Sequence, residues 1–268
     1  MKAICTSVIT AAAIGGLSAS LHAAAGVLIV EKTTSTGSPS TNQIQIESNR
    51  MRAESTGPRG EKQVVIFDGA RQVLIMIDDA AKSYTELTKA DADQLGAQMS
   101  QAMAQIQKQL EGLPPEQRAQ IESMMKGRMG GAGGAAPKTV YKPAGTATVG
   151  KWTCTKYDGY DGAAKTSEVC TVDPKTLGLS EADFAVTKQF VEFFKRVVPA
   201  MASQAFAIGT VEQQGFAGVP IRRMMTVLGR QITSEITDVS RQTFPDSSYA
   251  VPAGYQKRAF GAAGGRGR

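Results

Sequence analysis

The side chains that could do chemistry in this chain are of three kinds: clustered carboxylates, a few cysteines, and methionines at helical spacing. Asp78-Asp79 and Asp158/Asp161 are the densest carboxylates, and a general acid/base pair draws on two such groups. Each cluster sits among turn residues, where an aspartate bonds to its own backbone, so turn chemistry already accounts for both. Asp158-Gly-Tyr-Asp-Gly162 is also too short for a calcium loop. Cys154 and Cys170 lie in two β-like runs, Lys151–Tyr157 and Thr166–Val172, with that turn between them. The arrangement predicts a hairpin carrying a structural disulfide, because the spacing is far from the C-x-x-C of a redox pair. Two thiolates alone do not make a metal site. Met99, Met103, Met124, Met125 and Met129 could offer thioethers to Cu(I), but their spacing fits an adaptable apolar helix face better.

The only histidine, His22, lies in a segment with the order of a secretory signal peptide: Lys2, an apolar run Ala3–Leu17, and a small-residue end at Ser18–Ala25. Cleavage is expected after Ala23 or Ala25. The run is too short for a comfortable span, and Cys5 precedes it, unlike a lipoprotein's acylated cysteine. Cleavage removes Cys5 and His22. That excludes Ser-His-Asp and Cys-His nucleophiles and His-ligated zinc, copper or haem. The Gly130–Gly134 run lacks the Lys-Ser/Thr of a phosphate loop. The formal net charge is +6, with one unit in the leader and Lys257, Arg258, Arg266 and Arg268 at the C-terminus. Export makes nucleic acid a poor partner for that charge. No later apolar stretch approaches about 18 residues, so no integral membrane segment is expected after cleavage. The reading is a soluble periplasmic protein, not an enzyme, with no cofactor and no metal.

The elements that must position these groups are mostly strands. Gly26–Thr34 reads as a first strand and Ser35–Thr41 as a turn. Asn42–Glu54 alternates through Ile44, Ile46, Met51 and Ala53 and is expected to be one half-buried strand. Lys62–Phe67, Gln72–Ile77 and Lys82–Leu87 follow, turned at Asp68-Gly69 and Asp78-Asp79, giving a five-stranded meander. From Asp91 to Leu110 the apolar residues Leu95, Met99, Met103, Ile106 and Leu110 form one helical stripe. Gly112-Leu-Pro-Pro115 ends that helix and opens a second over Gln117–Met129, making a helical hairpin. Strands at Lys138–Tyr141, Gly150–Tyr157 and Lys165–Asp173 come next, with Trp152 among them. Ser180 and Asp183 have capping-box spacing for a helix expected to bury Phe184, Val191, Phe194 and Val198, with Phe190 beside the stripe. Val219–Leu228 and Gln231–Phe244 form a last strand pair, with a bulge or bend near Ile236.

Several stretches carry a resemblance. Asn49-Arg-Met-Arg52, Val65-Ile-Phe-Asp-Gly69, Leu113-Pro-Pro-Glu-Gln-Arg118, Cys154-Thr-Lys-Tyr157, Thr171-Val-Asp-Pro174, Leu177-Gly-Leu179 and Val251-Pro-Ala-Gly-Tyr255 resemble an uncharacterised family of exported bacterial domains of unknown function. That family is similar in pattern to the outer-membrane lipoprotein carriers (LolA/LolB-like proteins). The resemblance implies an α+β fold: a strongly curved antiparallel half-barrel with helices on its concave face, here with an inserted hairpin. The residues themselves give the bounds of one domain over 26–258, with helical insertion 89–129 and Gly-rich link 130–136, after the signal peptide 1–25 and before a disordered tail 259–268. The resemblance brings no catalytic residues. In the carriers the apolar cavity accepts acyl chains. The matching expectation is a carrier of a lipid or acylated protein, its cavity or lid lined by Leu95, Met99, Met103, Ile106, Met124, Met125, Trp152, Phe184, Val191 and Phe194. The alternatives are a module for an envelope protein partner with a self-filled core, and a carboxylate-based hydrolase.

Overall fold

The computed structural model describes residues 26–35, 38–57, 59–114, 116–118, 121, 139–197, 215–227 and 230–260. They form an α+β fold built on one open sheet of twelve strands with few helices. The strands are β1 (Gly26–Ser35), β2 (Ser38–Ile46), β3 (Arg50–Thr56), β4 (Lys62–Asp68), β5 (Val73–Asp78) and β6 (Ser83–Thr88), then β7 (Val140–Val149), β8 (Trp152–Asp161), β9 (Ala164–Val172), β10 (Val219–Val227), β11 (Arg230–Gln242) and β12 (Gln256–Arg258). Helix α1 (Lys89–Glu111) follows β6, and α2 (Ala185–Val197) lies between β9 and β10. The spatial order is β12-β6-β5-β4-β3-β2-β1-β11-β10-β9-β8-β7. Two meanders therefore meet at a central seam, where β1 pairs with β11 over Gly26↔Gln242 to Ser35↔Ile232. The described neighbours are antiparallel except β12, which runs parallel to β6.

The first meander has six strands, because the stretch read as one strand over Asn42–Glu54 is two. The chain reverses at Glu47-Ser48-Asn49, and Ile46 faces Met51 across the ladder. The apolar positions change phase there, from even-numbered Ile44 and Ile46 to odd-numbered Met51 and Ala53. A straight strand would send the two pairs to opposite faces; a hairpin puts them on one. The turns at 69–72 and 79–82 share one design. Asp68 Oδ1 accepts from the Arg71 amide and Asp78 Oδ1 from the Ala81 amide, each at 2.9 Å. Gln72 (φ 53°) and Lys82 (φ 47°) then take the left-handed conformation that lets the strand return.

Alternation sorts the meander into two apolar faces. One row runs Val27, Ile46, Met51, Phe67, Leu74, Leu87 across six strands, each residue opposite the next. These residues belong to the main core with Trp152, Cys154, Cys170, Val172 and Ile236 of the second meander. Helix α2 lies on this face, its Phe190 and Phe193 rings 5.3 and 5.4 Å from Phe67. Helix α1 packs on α2 rather than deep on the sheet. Gly96 passes so close to the Arg196 carbonyl that no Cβ fits between them. Thr88 and Asp91 form a capping box at the start of α1. Arg118 donates to the Leu110 and Glu111 carbonyls at 3.0 and 2.9 Å, supplying partners that the last turn lacks.

The opposite face of β4–β6 carries a second cluster, Val64, Ile66, Ile75 and Ile77. It is covered by the C-terminal strap, residues 245–258, through Tyr249, Val251 and Tyr255. The strap ends as β12 on the edge of β6, where Gln256–Arg258 pair with Ser83–Thr85. Residues 1–25, the link 130–136, Met124, Met125, Met129, Val198 and residues 261–268 lie outside the described residues.

Candidate functional site

The hairpin disulfide forms between Cys154 and Cys170, with Cα atoms 5.5 Å apart. In the ladder Cys170 stands opposite Lys156, so the bridge runs diagonally from β8 to β9. Both sulfurs lie in the main core beside Trp152. Further along the same face the lining turns from apolar to charged. Asp158 and Glu168 stand directly opposite each other, two like charges that would repel if left alone. Lys165 bridges them at 2.7 and 3.2 Å, and Lys156 and Arg222 reach Glu168 at 3.1 and 3.3 Å. Burial pushes the Glu168 carboxyl up, but the Lys156 and Lys165 ammonium groups outweigh it and hold the group below its ordinary range. Arg222 is thus part of an ion network. Arg223 lies against the Phe216 ring at 5.7 Å, with its pKa lowered by burial.

Of the four carboxylates singled out as acid/base candidates, Asp78, Asp79 and Asp158 have structural partners. Asp78 closes its turn. Asp79 accepts from the Tyr255 hydroxyl and pairs with Lys82 at 3.0 Å, and these bonds lower its pKa. Asp158 pairs with Lys165. Among the described residues no group of three or more His, Cys, Asp or Glu is placed to hold a metal. No described helix is long and apolar enough to cross a membrane.

The residues expected to line a cavity divide into three sets. Trp152 and Phe184 are buried in the main core. On α2 the fully buried residues are Val186, Thr187, Phe190, Phe193 and Val197, while Val191 and Phe194 are half-buried. The buried stripe is therefore turned by one residue from the expected one. Phe67 decides this by receiving Phe190 and Phe193, and Phe194 stacks on Phe190 at 5.9 Å. The third set is on α1, where Ala92 is fully buried and Leu95 packs on the core. Met103 and Ile106 beyond them are half-buried, and Met99 is 41% exposed. The α1 stripe thus continues past the part of the helix that α2 covers.

A groove of about 560 Å³ lies at the other end of α2, lined by Gly26, Ile46, Glu47, Arg50, Asp183, Arg241, Phe244 and Asp246 among others. Its charges are joined in pairs. Arg241 grips both oxygens of Asp183 at 2.6 and 2.8 Å, and Arg50 pairs with Glu47 and, at 2.7 Å, with Asp246. The Arg241 bond, helped by the Ser180 amide and hydroxyl, lowers the Asp183 carboxyl to about 2 against the cost of burial. Arg52 donates to the Ser248 carbonyl at 3.0 Å. Arg50 and Arg52 therefore tie the C-terminal segment to β3. In the sequence the capping-box spacing of Ser180 and Asp183, and Arg50 within Asn49-Arg-Met-Arg52, mark parts of this groove, whereas Arg241 and Asp246 carry no local signal.

No curated protein matches the chain in sequence. Among solved structures it is similar to an uncharacterized conserved protein from Thermus thermophilus, at 7% identity and a TM-score of 0.44, covering 88% of this chain and 91% of that one. It is also similar to PNGF-II, in its C2 crystal form, at 9% identity and a TM-score of 0.36, covering 88% of this chain and 31% of that one. Neither likeness carries an argument about this chain. Residues 138–255 match the model of a family described as Domain of unknown function (DUF4412). The match runs from β7 through the disulfide, α2 and β11 into the strap, so an uncharacterised domain family is supported across the second meander.

Proposed function

We propose that this is a non-catalytic binding protein of the bacterial envelope that takes up a hydrophobic ligand, a lipid or the acyl chain of an acylated protein, on the apolar stripe of α1. The supporting observation is the contrast along that helix: Ala92 is fully buried, whereas Met99 is 41% exposed. Methionine suits such a surface because its unbranched thioether repacks around different shapes. Export by residues 1–25 to the periplasm belongs to the same reading, and the Cys154–Cys170 disulfide fits an oxidising compartment. Likeness to the lipoprotein carriers stays within this proposal.

Native mass spectrometry of protein purified from its own compartment is the direct test, followed by titration of the delipidated protein with a fluorescent fatty acid. Co-purifying lipid and saturable uptake are expected. The variants Met99→Glu and Met103→Glu are expected to weaken uptake at least tenfold. An empty protein that takes up no probe would sink the proposal. That result would favour the second reading, a protein-interaction module with a self-filled core, for which the packing of Trp152, Phe184, Phe190 and Phe193 speaks.

A further inference from the structure

The strap and the surface beneath it are unequal partners. Val64, Ile66, Ile75 and Ile77 are almost wholly buried, yet the residues covering them, Tyr249, Val251 and Tyr255, are only half-buried. All three β12 residues are exposed. The polar ties lie around the apolar cluster: Arg50 to Asp246 and, at 4.2 Å, over the Tyr249 ring, Arg52 to the Ser248 carbonyl, the Tyr255 hydroxyl to Asp79, Lys82 to Tyr255 at 3.1 Å, Lys257 to Glu86, and the Gln256 amide to the Lys82 carbonyl at 3.0 Å. The Tyr249 hydroxyl is buried with no hydrogen-bond partner among the described residues, so docking the strap leaves a desolvation cost uncompensated. A strap that lifts away uncovers both a row of β-branched side chains and the free edge of β6, the combination that receives an added strand.

We propose that the strap and its groove are an exchangeable pair, through which two copies of this chain join by reciprocal strap exchange. The occupant is argued from the cis structure itself. The strap of a second copy carries the same Tyr249, Val251 and Tyr255 for the cluster, the same Lys257 for Glu86, and the same amides for the β6 edge. No new interface has to be built, which is what makes exchange of an identical element an inexpensive route to a dimer. Pro245, Asp246 and Ser247, just beyond the buried Phe244, are exposed, so the strap can swing out from there while Phe244 and the β1–β11 seam stay in place. The proposal is independent of any ligand on α1.

Gln256 stands opposite Ser83 in the β12–β6 ladder. Full-length Ser83→Cys and full-length Gln256→Cys, mixed at high concentration under mild oxidation, can form an 83–256 link only between chains. The expected result is a disulfide-linked heterodimer, mapped to those positions by peptide mass spectrometry, that grows with protein concentration. A chain carrying both substitutions is expected to link internally when dilute. Internal linkage in the double variant with no linkage in the mixture would overturn exchange. Failure of the double variant to link would overturn it too, by removing the strap from β6 in solution.

Discussion

Asp183 joins the start of the α2 region to the last long strand. Its carboxylate accepts from the Ser180 amide and hydroxyl at 2.7 and 2.8 Å and meets Arg241 with both oxygens. Its folded-state pKa of about 2 lies below the ordinary 3.8, so the charged form stabilises the fold. That stability is fully present above the unfolded-state pKa and is lost as pH falls through the folded one. Asp183→Asn is therefore expected to cost about 2 kcal/mol near neutral pH in urea unfolding. The gap from the parent should close between about pH 4 and pH 2, in line with the lowered carboxyl. A gap that stayed constant with pH would place the effect in packing. The Ser180-Asp183 spacing is readable along the chain because a capping box is local. Arg241 is not, since it arrives from 58 residues away by way of the sheet.

Elements are legible where their signals are local. Alternation and turn residues locate most strands, and the turn-rich segment between the cysteines anticipates the β8–β9 hairpin and its bridge. The bridge closes a loop of sequence separation 16. Replacing both Cys154 and Cys170 with alanine is expected to lower stability by about 3 kcal/mol on the loop-entropy account, read as a fall in the urea midpoint. A loss near zero would mean that core packing alone sets the hairpin. Two element readings fail for a physical reason. The β2–β3 reversal is concealed because alternation continues on both sides of Glu47-Ser48-Asn49, and only the change of phase betrays the turn. The α2 stripe is misassigned from sequence because Phe184, Phe190, Phe193 and Phe194 crowd the helix. Period alone cannot choose among them; Phe67, on another element, does.

At the scale of the whole molecule, the α+β class with an open antiparallel sheet is within reach of pattern reading, but the strand order is not. Nothing local in Val27-Leu-Ile-Val30 says that its neighbour is β11 rather than another meander strand. The second apolar face of β4–β6 is also hidden, because its cover comes from the far end of the chain. Two cores on opposite faces should open separately. Tyr255→Ser is expected to raise amide exchange in β6 at least tenfold and leave the β1–β11 seam unchanged, measured by hydrogen–deuterium exchange mass spectrometry. Equal acceleration at both places would show that strap and seam open together. The seam also has a consequence for biogenesis. A chain emerging N-terminus first can assemble β1–β6, but β1 then presents a bare edge until β11 has been synthesised. The main core stays incomplete for the same interval, because Trp152, Cys170 and Ile236 all arrive later. Completion of the sheet is thereby tied to completion of the polypeptide.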